Sequence, residues 1–265
     1  MTWGVTCRSS NRRGRDGSEV SWSLVRQSLT RPYRVSMPMV VLVSLVPFYI
    51  FIPELTTGRT QHVPELPIDR LIPVQPAWAL VYGALYLFLI LLPVFVVREE
   101  EQIRRTVSAY LLIWMTAYLF FLVYPTVASR PAVVAGEGFS VWGLRSLDGA
   151  DPPHNCFPSL HVAHSFVSAL ACHRVHRGLG TIAAFCALLV GVSTLYTKQH
   201  YVLDVAGGIL LACVAYFVFL RGYPRDRVPE TDRRVAPILA FGIIGILGIA
   251  FVCFWAVYCL TATPA

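Results

Sequence analysis

The chain of 265 residues is 55% hydrophobic and only 14% charged, with a mean hydropathy of +0.59, where a soluble domain normally carries about a quarter charged residues. That excludes an ordinary water-soluble fold, and apolar runs near the ~20 residues needed to cross a bilayer recur along the chain. The net charge of +7 comes from 22 basic residues, of which Lys198 alone is a lysine; their place beside apolar runs speaks for membrane orientation and against a nucleic-acid partner, which would need a basic face on a soluble fold.

In chain order, residues 1–34 are polar and Arg-rich (Arg8, Arg12, Arg13, Arg15, Arg26, Arg31, Arg34) and read as a basic cytoplasmic tail, partly disordered. No basic start, short apolar stretch and small-residue cleavage site of a signal peptide precedes the first apolar run. Residues 35–265 then read as one membrane domain. Charge-poor runs at 36–53, 77–97, 106–127, 158–173, 180–197, 201–220 and 235–260 predict seven helices, the first and fourth short and the sixth carrying Asp204. The expected fold class is therefore all-α, a polytopic membrane helical bundle.

With the tail inside, 17 basic residues fall on the inner side and 5 on the outer side (Arg59, Arg70, Arg130, Arg145 and Lys198). Cytoplasmic loops retain Lys and Arg, so this asymmetry predicts a cytoplasmic amino terminus and an external carboxyl terminus. The outer segments 54–76 and 128–157 are rich in Pro and Gly and show no periodic apolar face; loops of this length are often functional. The seven cysteines contain no CxxC pair, so neither a zinc site nor a disulfide framework is indicated.

Ionisable residues near span ends are costly and therefore informative. One cluster is Phe157-Pro158-Ser159-Leu160-His161, in which Pro suits the first turn of a helix whose free N–H groups form a ready anion site. The other runs from Ser193 to Asp204; His200 and Asp204 lie four apart, on one helical face, where the carboxylate can hold one imidazole nitrogen and leave the other free. Both clusters fall at outer helix ends and can meet. A His oriented by Asp, a second His, and Lys198 and Arg130 on the same side supply a nucleophile, a proton donor and cations for an anionic transition state. Phosphoryl transfer is the natural reaction class.

Pro158-Ser159-x-His161 and Ser193-x6-His200-x3-Asp204 resemble the second and third motifs of the type 2 phosphatidic acid phosphatase superfamily. The longer strings DPPHNCFPSLHVA and STLYTKQHYVLDVAGG look more like its inositol phosphorylceramide synthase-like branch. The resemblance implies six core transmembrane helices of the phosphatase/haloperoxidase-like fold plus a seventh here, with a phosphatase-like core at about 106–220. It further implies metal-independent catalysis without cofactor. His200 is then the nucleophile that forms a phosphohistidine, Asp204 its orienting group, His161 the general acid, and Ser159 with Arg130 and Lys198 the phosphate ligands. The expected partners are a membrane phospholipid or lipid phosphate and a lipid alcohol acceptor. Two positions depart from the family pattern: Thr194 replaces the Arg after the motif Ser, with Lys198 as a candidate replacement, and Val123 stands where the first motif has Lys before Arg130-Pro131.

The expected activity is a head-group transferase of the inositol phosphorylceramide synthase type, acting on the extracytoplasmic side of a bacterial plasma membrane, with lipid phosphate or polyprenyl phosphate hydrolysis as the alternative. A transporter, in which His and Asp relay protons or bind substrate, is the competing class; it predicts repeated halves or paired broken helices, and the sequence shows neither. His164 reads as a packing residue, and Asp148, Asp151 and Asn155 as turn formers.

Overall fold

The structure is a computed structural model that describes Trp22, Arg26 and residues 37–261; the tail expected at 1–34 otherwise lies outside the described residues. Helices occupy all seven predicted segments: α1 (Met37–Leu55), α2 (Ala77–Val96), α3 (Glu100–Val123), α5 (Leu160–Val175), α6 (Arg177–Tyr196), α7 (Val202–Ala215) and α8 (Glu230–Thr261). Five of them, counting α7 with the π-helical Tyr216–Leu220 that extends it, are long and apolar enough to cross a membrane. No strand forms among the described residues, only isolated bridges joining His62 to Thr126 and Val127 to His154. The protein is all-α.

An eighth helix, α4 (Phe139–Ala150), corrects the reading of 128–157 as a segment without an apolar face. It is short, with Val141 and Leu144 buried against Ala79 of α2 and Val134, and Leu147 packed beside them. These apolar positions recur every third residue, a helical face that the Pro- and Gly-rich composition of the whole segment hides. The other outer segment contains the 3-10 turn Pro67–Leu71.

Helix starts follow their capping residues. Glu99 caps α3 by accepting from the Gln102 amide at 2.8 Å, and Glu100 and Glu101 complement the positive end of the helix dipole. His176 is the sole residue between α5 and α6, and its Nδ1 accepts from Leu179 N at 3.0 Å. So sharp a turn requires Gly180, because a Cβ there would stand 2.2 Å from His173 Cα.

The core is built where α5 packs on α6 and α2 leans on both. Leu89, Leu92, Ile113, Ala163, Val167, Ala183 and Val190 are fully buried in it. Small residues let the backbones approach, as membrane helix interfaces require. Two buried polar side chains in this core find partners across helices: Gln102 Nε2 donates to the Ala171 carbonyl at 2.9 Å, and Tyr110 shares a 2.8 Å hydrogen bond with Ser168. His164 stacks on Tyr110 with ring centroids 4.2 Å apart, the packing role expected of it.

Candidate active site

Three loop strings converge at one end of the bundle, and backbone hydrogen bonds tie them together. Ser159 N donates to the Asp204 carbonyl at 3.1 Å, joining the start of α5 to the start of α7. Ser129 N donates to the Tyr201 hydroxyl at 2.9 Å, drawing the Arg130 loop onto the same turn. The Thr126 hydroxyl accepts from both Cys156 N and Phe157 N at 3.0 Å, fixing the approach to Pro158. At the joint, α7 presents Gly207 and Gly208: a Cβ on Gly208 would lie 2.6 Å from Ser159 O, and one on Gly207 2.8 Å from the Phe157 ring.

This framework brings His161, His200, Asp204 and Ser159 together. His161 Nδ1 and His200 Nε2 are 3.1 Å apart and share one hydrogen bond. Behind His200, Asp204 Oδ2 stands 3.5 Å from Nδ1 and also accepts from Tyr201 N at 2.8 Å. At that separation His200 Nδ1 has no full hydrogen bond; catalytic contacts in a free enzyme are often this loose and tighten around substrate. Asp204 is completely buried and His200 nearly so, an arrangement that is costly unless the two groups serve each other. Ser159 caps α5, its Oγ accepting from Val162 N at 3.3 Å, which leaves the hydroxyl hydrogen free to donate.

On its other side His161 has a second carboxylate, with Asp151 Oδ2 3.9 Å from Nε2. Asp151 is held by the Tyr49 hydroxyl, which donates to Oδ1 at 3.1 Å, and Asn155 Nδ2 donates to the Tyr49 carbonyl at 3.0 Å. Tyr82 and Tyr86 of α2 present edge contacts to the His161 ring, at centroid distances of 5.5 and 4.9 Å. Asp148, Asp151 and Asn155, read from sequence as turn formers, therefore belong to the surroundings of the site. No local spacing links Tyr49, Tyr82 or Tyr86 to His161; only the fold does.

The two cations separate. The Arg130 guanidinium donates to the Asp151 carbonyl at 2.5 Å and to Gln199 Oε1, and stands 3.5 Å from Asp148, whose carboxylate also accepts from Gln199 Nε2 at 2.7 Å. Burial raises the Asp148 carboxyl above its usual range, against the opposing pull of Arg130 and the Gln199 amide. Lys198, in a left-handed conformation at φ 55°, turns its ammonium to the Asp69 carbonyl at 2.8 Å. Arg130 is thus the cation braced beside the histidines, while Lys198 holds the 3-10 turn. Thr194, at the position of the missing Arg, bonds within its own helix to the Gly191 carbonyl at 2.7 Å.

More than half of the sequence, residues 67–218, matches the family profile described as the PAP2 superfamily. The chain belongs to the PAP2 superfamily. Over 130 residues it is 24% identical to a PA-phosphatase related-family protein of Dictyostelium discoideum, a stretch covering 44% of this chain and 24% of that protein. The chain thus spans about a quarter of the length of that PAP2-type relative. No solved structure matches it. The PAP2 match starts well before residue 106 and takes in α2, which supplies the Tyr82 and Tyr86 walls of the site.

The candidate site also gathers donor atoms that sequence spacing did not reveal as a group: Cys156, His200 and Asp204 place ligand atoms within 4.8 Å of one another. In this arrangement the Cys156 thiol is a buried donor: burial pushes it up from its ordinary range, and its Sγ donates to the Pro153 carbonyl at 3.5 Å.

Proposed function

We propose that this protein is an integral membrane enzyme that transfers the phosphate-bearing group of a lipid through a phosphohistidine at His200. The supporting observation is the chain Asp204–His200···His161–Asp151, in which two imidazoles 3.1 Å apart are each backed by a carboxylate. His200 Nε2 attacks phosphorus once the shared proton resides on His161. Asp204 takes up the positive charge at Nδ1, and His161 passes its proton to the departing alcohol oxygen. Arg130, Ser159 and the amides at the start of α5 stabilise the charge on the phosphoryl oxygens; Lys198 joins them if it releases Asp69. Water or an alcohol then attacks the phosphoenzyme, with His161 now acting as base. Two displacements leave the configuration at phosphorus retained. No metal takes part.

Membership in the PAP2 superfamily and the PA-phosphatase related relative support a membrane lipid phosphatase. The finer reading, a head-group transferase of the inositol phosphorylceramide synthase type, is supported by the strings around His161 and His200 and by the departures at Val123 and Thr194. We place the site on the extracytoplasmic face of a bacterial plasma membrane, on the strength of the basic-residue asymmetry and the Arg-rich composition.

Purified protein in lipid nanodiscs, given phosphatidate, polyprenyl phosphates and phosphatidylinositol with and without a lipid alcohol, distinguishes these outcomes. Release without acceptor, insensitive to chelator, identifies the phosphatase; product that forms only with the alcohol identifies the transferase. Absence of turnover on every lipid, or activity restored after chelation only by a divalent ion, would count against the mechanism.

A further inference from the structure

A cavity of about 780 Å³ lies between the C-terminal turns of α1, the turn after it and the loop carrying Asp151. Ala150 and Pro152, the chain neighbours of Asp151, line it, as does Tyr49, whose hydroxyl holds the Asp151 carboxylate beside His161. One layer of side chains therefore separates this space from the general acid, on the side of His161 that faces away from His200. An in-line attack by His200 places the leaving oxygen on the far side of phosphorus, where His161 protonates it, and the alcohol reaches this cavity past the Asp151 and Tyr49 side chains, whose 3.1 Å hydrogen bond closes the wall between them.

The lining changes character along α1. Ile50, 67% exposed on the flank of the helix, borders the cavity at its apolar end, while Glu54, Gln61 and His154 supply polar groups at the other. An amphiphile whose oxygens lie at the membrane surface and whose chains run into the hydrocarbon matches that gradient. One wall, α1 and the turn to residue 61, precedes the segment that matches the family, so the shared PAP2 core does not supply it.

We propose that this cavity is the subsite for the leaving lipid alcohol: its glycerol-like oxygens meet Glu54, Gln61 and His154, and its chains pass Ile50 sideways into the bilayer. The inference rests on the phosphotransfer reading above. In the step it serves, the bond from phosphorus to the lipid oxygen breaks, the bond from phosphorus to His200 Nε2 forms, and the proton on His161 moves to the lipid oxygen.

The test compares Ile50→Trp and Thr57→Trp, which fill the cavity, with the wild type on long-chain phosphatidate in nanodiscs and on phenyl phosphate in water. We expect the ratio of kcat/KM for the lipid to that for the phenyl ester to fall at least about tenfold, as a blocked specificity pocket allows. A ratio within twofold of wild type in both variants would overturn the subsite. As a second measurement, a phosphatidate carrying a photoreactive group near the glycerol is crosslinked to the His200→Ala protein and the adduct is mapped. Adducts within 49–61 or 150–155 support the proposal, and adducts confined to α8 overturn it. If the wild type turns over neither ester, the phosphotransfer reading fails, and the crosslink alone decides whether a lipid occupies the cavity.

Discussion

At the scale of single residues, the proposed chemistry rests on two histidines in contact. His200→Ala and His161→Ala should each lower turnover by at least the ~100-fold of a lost acid–base group, measured on protein shown by thermal unfolding to be folded; near-wild-type turnover in either removes the mechanism. The cations can be ranked in the same assay. Arg130→Lys forfeits the planar fork that meets Asp151, Asp148 and Gln199 and should cost more turnover than Lys198→Met, whose native ammonium serves Asp69; the reverse order would make Lys198 the working phosphate ligand. Sequence spacing made His161, Ser159, His200 and Asp204 legible because each lies within one turn of a partner along the chain. Asp151 and Tyr49 were not legible: they are 102 residues apart and meet only through the fold.

At the scale of elements, the joint between α5 and α7 positions both histidines. A methyl group on Gly208 would collide with the backbone of Ser159, and since backbone cannot move aside cheaply, Gly208→Ala should destabilise by about 1–3 kcal/mol and misplace His161. Thermal unfolding and turnover measured together check this, and a variant unchanged in both would show that the joint tolerates separation. The helical segments were readable from charge-free length, whereas α4 was not, because its inward residues Val141, Leu144 and Leu147 lie among charged and polar residues in a helix of only twelve residues. Within α3, Tyr118 and Phe121 are buried, Tyr118 donating to the Leu45 carbonyl of α1 at 2.8 Å, a placement that charge-free length alone does not give.

At the scale of the whole molecule, the basic end of the bundle lies opposite the site. Arg174 bonds the Arg221 carbonyl there, and Arg105 reaches the Phe219 carbonyl at 3.3 Å. The proposed orientation puts Leu71 outside and Arg227 inside, both exposed. In intact cells an impermeant thiol reagent should label Leu71→Cys and leave Arg227→Cys unlabelled until the membrane is opened; the opposite pattern would invert the topology. The expected orientation rests on charge counting alone, since the positive-inside bias needs no contact information.

In the proposed mechanism His200 carries the phosphoryl group. The most direct measurement is to incubate the wild type with a lipid phosphate labelled at phosphorus, quench within the first turnover and assay acid-labile, base-stable label on peptides spanning 194–204. Label is expected on His200 in the wild type and none in His200→Ala. Turnover by the wild type with no trapped phosphohistidine, or label that persists in His200→Ala, would contradict it.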